Sequence, residues 1–150
     1  MKAKQLSSVT SIAQKADLDQ AILDVEAGED QGDQPGHFLG KPMWDWLRYV
    51  EELSKAGESD ADRALALVYA LITVAEREAA GSGREPAPAY TERAAILHRK
   101  RKEYASEVAV IERWERACPS ESRESGALQV KLARRLIKAR ELANKQSGSA

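Results

Sequence analysis

Cysteine occurs once in these 150 residues, as Cys118. A lone cysteine closes no internal disulfide and builds no cysteine-based zinc site, which points to a reducing, cytoplasmic setting. Histidine occurs twice, as His37 and His98, and phenylalanine once. Aromatic residues make up 5% of the chain against 43% hydrophobic residues in all. The apolar content is therefore mostly Ala, Leu, Val and Ile, and the first two are strong helix formers. Long hydrophobic runs are missing too. The longest uncharged one, ALALVYALITVA from Ala64 to Ala75, has 12 residues, where a membrane span needs about 20. The N-terminal MKAKQLSSVTSIAQKAD holds no apolar stretch of signal-peptide length, so the expectation is a protein with neither leader nor membrane contact.

What is present is charge, at 31% of residues, nearly balanced to a net of −1. The balance hides a division. Residues 1–83 carry 8 Lys and Arg against 15 Asp and Glu, a net of −7; residues 84–150 carry 15 against 9, a net of +6. Such asymmetry suits a polyanion, or head-to-tail contact between copies, as well as simple neutralisation within one fold.

Helical periodicity runs through most of the chain. Leu6, Val9, Ile12 and Ala13 give one stripe, and Leu18, Ile22 and Val25 another, so Leu6–Ala27 reads as one helix or as two short ones, the second of which Asp17 could cap. The segment GEDQGDQPGHFLGKP, 28–42, holds four glycines and two prolines and reads as a loop, which Phe38 and Leu39 can pin to the core. Pro42 suits a helix start. Met43, Trp46, Leu47, Val50 and Leu53 form the next stripe, and Gly57 stands where a C-terminal cap belongs. Trp44 and Tyr49 read as pointing away from it. A third helix over about 60–80 is apolar nearly all round and should be the buried centre.

The break GSGREPAP, 81–88, precedes a long helix expected over 89–117 that stops before Pro119. A last helix spans about 125–144, and 145–150 reads as a flexible tail. The fold class is all-α: one helical bundle of four or five helices filling 1–150 as a single domain, with no strand.

Catalytic chemistry finds little support. Neither histidine has a Ser, Cys or acid at a spacing that suggests a catalytic arrangement. Cys118 lies at a helix C-terminus, whose dipole disfavours a thiolate. The acidic run Asp17–Asp33 lacks the alternating ligand order and closing Glu of a calcium loop, and no glycine cluster matches a phosphate cradle. The expectation is a non-enzyme with no cofactor and no metal.

The most unusual stretch is LHRKRKEYASEVAVIERW, Leu97 to Trp114. Five successive residues sweep more than a helical turn at about 100° each, so HRKRK is not one patch. On one continuous helix, however, His98, Arg99, Lys102, Arg113 and Arg116 share an arc without acids, opposite a seam of Tyr90, Leu97, Tyr104, Ile111 and Cys118 seven apart. The last helix adds Lys131, Arg134, Lys138 and Lys145 along one flank and a small apolar pair, Val130 and Ile137, on another side. Phosphate backbones ask for Lys and Arg spaced along a line, not for exact geometry.

Arg99, Lys102, Arg113, Arg116, Lys131, Arg134 and Lys138 are thus the candidate nucleic-acid contacts, independent of base sequence. In size, helical content and basic faces the chain is similar to small helical subunits of nucleoprotein machines, such as the small subunit of CRISPR effector complexes or phage packaging and plasmid-maintenance proteins. That likeness is one of architecture, carried by no motif, and it implies a place inside a larger assembly. The second reading is an adaptor or inhibitor that binds protein through Trp44, Tyr49, Val130 and Ile137 and has no nucleic-acid role.

Overall fold

The computed structural model describes residues 12–30, 32–118 and 127–148. Six helices and one minute hairpin occupy them: α1 (Ile12–Glu26), β1 (His37–Phe38), β2 (Lys41–Pro42), α2 (Met43–Ala56), α3 (Glu58–Ser82), α4 (Pro88–Lys100), α5 (Tyr104–Ala117) and α6 (Ala127–Gly148). The all-α expectation holds. Packing groups the chain into two compact units, 1–74 and 75–150, with the division falling inside α3.

In the first unit α1 is one uninterrupted helix. Asp17, expected to cap a second piece, lies instead in its second turn. Leu18, Ala21, Ile22 and Val25 recur every three or four residues and are buried; Leu6 and Val9 lie outside the described residues. The helix ends because Gly28 turns left-handed at φ 91. Its N–H then donates to the Val25 carbonyl at 3.0 Å, and the Glu29 N–H donates to that of Asp24 at 2.9 Å. These two bonds satisfy carbonyls that the helix end would otherwise leave bare.

The 28–42 loop is pinned by Phe38, while Leu39, expected to share that role, is 38% exposed; the loop also contains a strand pair that was not expected. Phe38 is fully buried and meets the Trp46 ring edge-on at 5.7 Å. The Trp46 indole N–H donates to the Phe38 carbonyl at 2.6 Å. Between β1 and β2, Leu39 and Gly40 both have positive φ, and the Asp33 carboxylate accepts both their N–H groups at 2.8 Å. One aspartate thus supplies the partners that a tight turn lacks.

Met43, Trp46, Val50 and Leu53 of α2 are buried as the stripe requires. Tyr49 is buried with them, which corrects its expected outward placement. The physical reason is spacing: 46, 49, 50 and 53 are the i, i+3, i+4, i+7 set, and Leu47 is displaced to the half-buried margin. Burial pushes the Tyr49 hydroxyl pKa up, and the nearby Asp60 carboxylate adds to it. Gly57 at φ 150 separates α2 from α3. In α3, Ala64, Leu67, Val68, Ala70, Leu71, Ile72, Ala75 and Ala79 are buried, so this helix has the broad apolar contact expected of it. Arg63 ties it to α1, its Nε 2.8 Å from Asp19 Oδ1, and also reaches Asp60 at 2.7 Å.

The second unit is built on α4, α5 and α6, each packed on the other two. Here the largest correction falls. The helix expected over 89–117 breaks after Lys100, and α5 begins afresh at Tyr104. Lys102 takes the left-handed conformation at φ 60. The Lys102 N–H donates to Arg99 O at 3.0 Å and the Glu103 N–H to His98 O at 2.9 Å. This is the same terminating pattern as at Gly28, formed without glycine. The break lets α5 fold back on α4.

Candidate nucleic-acid interface

The break redistributes the expected basic arc. His98, placed on that arc by its sequence position, is buried, with Nδ1 2.9 Å from Glu103 Oε1. The His98 ring, with the Arg101 guanidinium in support, holds the Glu103 carboxyl below its ordinary value of 4.5. Both groups serve the turn between α4 and α5.

Arg99 turns inward as well. Its Nε donates to Glu107 Oε1 at 2.9 Å, and its Nη2 lies 2.9 Å from Glu107 Oε2 and donates to the Arg135 carbonyl at 3.1 Å. Arg135 of α6 reaches the same carboxylate, Nη1 to Oε2 at 2.8 Å. The Glu107 side chain is completely buried, while the two arginines keep 29% and 23% of theirs exposed. A buried carboxylate is tolerable only where charge partners replace its water, and here three helices supply two guanidinium groups and the acid. Arg113 likewise grips Glu76, with Nε at 2.9 Å and Nη2 at 2.8 Å. Arg99 and Arg113 are therefore ion-paired within the fold, because the break brings Glu107 opposite the first and α3 presents Glu76 to the second.

The other candidates face solvent. Lys102 and Arg116 are exposed, and so are Lys131, Arg134 and Lys138 on α6. Among the described residues Lys131 and Arg134 make no ion pair, and Lys138 meets only Glu141, at 3.6 Å with both side chains more than half exposed. Such a pair holds little energy and releases its cation readily. The Gln146 amide donates to the Lys102 carbonyl at 3.0 Å, so the end of α6 lies against the α4–α5 turn. Lys131, Arg134 and Lys138 run along one flank of α6, and the Lys102 backbone lies beside its last turn. α6 carries six cations against a single acid, Glu141.

Of the apolar candidates, Trp44 is 68% exposed, Ile137 61% and Val130 38%. Tyr49 is not available at all. Leu23, 62% exposed on α1, belongs with them and was missed, because it directly follows Ile22 and falls outside the 18, 22, 25 stripe, so it gives no periodic signal of its own.

His37 Nδ1 faces the Pro35 carbonyl at 3.1 Å, and the Cys118 thiol is buried against Glu85 at 3.4 Å. Trp114 donates to the Pro86 carbonyl at 3.0 Å, fixing the 84–88 segment that passes over it. Among the described residues no group of three or more His, Cys, Asp or Glu is placed to hold a metal ion, and no helix is long and apolar enough to cross a membrane. No protein-family model, no curated protein and no solved structure matches the chain.

Proposed function

We propose that this chain is a non-catalytic helical binding protein that contacts a nucleic-acid backbone through the outward flank of α6, inside a larger assembly. The observation that carries this reading is the line Lys131, Arg134 and Lys138, exposed on one side of α6, with Lys102 exposed at the α4–α5 turn. From Lys131 to Lys145 such a helix runs about 20 Å. That length presents charge along several consecutive phosphates without asking for base identity. Arg116 is the further exposed candidate, on α5. Arg99 and Arg113 have no part in it beyond holding the second unit together.

The test is fluorescence anisotropy with labelled single- and double-stranded oligonucleotides over a salt series. Binding should weaken steeply with salt. Reversing Lys131, Arg134 and Lys138 to Glu should weaken it for every sequence alike and reduce the log–log salt slope by about 0.7 to 0.9 per lost contact. Unchanged affinity in the triple variant sinks the reading.

A protein partner is the second reading, and the exposure of Trp44, Ile137 and Val130 favours it, since large apolar residues left in water are frequent contact anchors. A partner held by those residues would respond little to salt and strongly to Trp44→Ala or Ile137→Ala.

A further inference from the structure

We propose that this chain associates head-to-tail with a second copy of itself, the outward face of α6 in one copy docking along the outward face of α1 in the next. The two faces are built to one plan with opposite charge. On α1, Ala16 and Leu23 are exposed seven residues apart, with Gln20 exposed between them. At about 100° per residue they lie opposite the buried Leu18, Ile22 and Val25. Glu26 and Asp19, the latter also holding Arg63 at 2.8 Å, border this strip on one side, Asp17 and Asp24 on the other. α1 carries those four acids against one cation, Lys15. On α6, Val130 and Ile137 are exposed seven apart, opposite the buried Leu132, Leu136 and Ala139, with Arg134 and one acid, Glu141, exposed between them. Lys131 and Lys138 border one side, and Arg140, which also meets Glu112 at 3.0 Å, the other.

Seven-residue apolar spacing is what two helices need to lay a shared seam against each other, and charges flanking the seam decide the partner. An acidic strip does not pair with an acidic strip, nor a basic with a basic, so the complement of α6 on a second copy is α1. The contact is heterologous: each copy leaves one face of each kind unused, and assembly continues until a ring closes or the chain ends. Seams of two short helices bury little surface, which puts the contact among weak, transient interfaces. The proposal is independent of nucleic acid, but it uses the same α6 cations, so phosphate and a second copy exclude each other there.

Sedimentation velocity of the full chain tests it, from about 20 to 500 µM and at about 50 and 500 mM salt. The sedimentation coefficient should rise with concentration at low salt and fall back at high salt. Leu23→Lys with Asp17→Lys, and separately Ile137→Asp with Arg134→Glu, should each weaken association about tenfold or more. Each variant keeps the face the other has lost, so an equimolar mixture should stop at a 1:1 dimer. A chain that stays monomeric over the whole range overturns the proposal and leaves α6 to another occupant; so does association that both double variants leave intact, or a mixture that grows beyond dimers. Circular dichroism confirms that each variant folds, and the salt and concentration series on the unaltered chain decides the matter if one does not. The α1 variant, which gains positive charge and keeps the α6 cations, should bind oligonucleotide at least as tightly as the unaltered chain, which separates failure of this proposal from failure of the nucleic-acid reading.

Discussion

Arg99 and Lys131 are both basic residues on helices of the same unit, yet they do opposite work. Arg99 has Glu107 within 2.9 Å, whereas Lys131 has only solvent. Local sequence does not separate them, because the acid that captures Arg99 stands eight residues on and becomes its neighbour only when α5 folds back. The consequence is measurable. Arg99→Ala leaves the buried Glu107 carboxylate with Arg135 as its remaining guanidinium partner and should cost about 2 kcal/mol in denaturant unfolding. Arg99→Ala and Arg135→Ala together should depart from additivity, since both address one carboxylate. Lys131→Ala should move stability by no more than about 0.5 kcal/mol. Equal small effects at Arg99 and Lys131 would mean that Glu107 is not paired as described.

At the scale of elements, helix existence was legible and one helix boundary was not. Stripes such as Trp46, Val50 and Leu53, or Leu132, Leu136 and Ala139, announce helices because burial on one side enforces their period. Gly28 and Gly83 announce endings because glycine enters the left-handed conformation freely, and both do so, at φ 91 and 73. The α4–α5 break carries no such mark: Lys102 makes the same turn with a side chain that resists it. A lysine there is tolerated because two backbone hydrogen bonds and the packing of α5 on α4 hold it, not because the residue prefers it. Lys102→Gly should therefore stabilise the protein by about 1 kcal/mol in thermal or denaturant unfolding, by removing the left-handed penalty. In a continuous helix the same change would destabilise by about 1 kcal/mol. The sign of the effect decides between the two. Tyr49 was misread for a simpler reason, since its place three residues after Trp46 already belonged to the buried stripe.

Across the whole molecule the charge division between the first 83 residues and the rest is carried by different elements: acids on α1, the loop after it and α3, cations on the α4–α5 turn and α6. The three tryptophans sample this molecule evenly. Trp46 is 3% exposed in the first unit and Trp114 4% in the second, while Trp44 is 68% exposed. Acrylamide should therefore quench one accessible component of the native fluorescence, and Trp44→Phe should abolish that component while leaving the two shielded emitters. A native protein with two or more accessible tryptophans would contradict the burial of the 28–42 loop's anchor or of the α5 core.

The sequence by itself determined that the chain is helical, where most helices lie, that Phe38 anchors the long loop, and that α6 presents a cationic flank. All of these rest on interactions within about seven residues or on the 3.6-residue period, which the order of amino acids encodes directly. Tertiary structure alone decided that α4 and α5 are separate helices, that His98 and Tyr49 are inside, and that Arg99 and Arg113 serve Glu107 and Glu76. Each of those outcomes depends on which residue a fold brings opposite another. A cation is spent inward or left for a partner according to whether an acid meets it there, and only the folded chain sets that meeting.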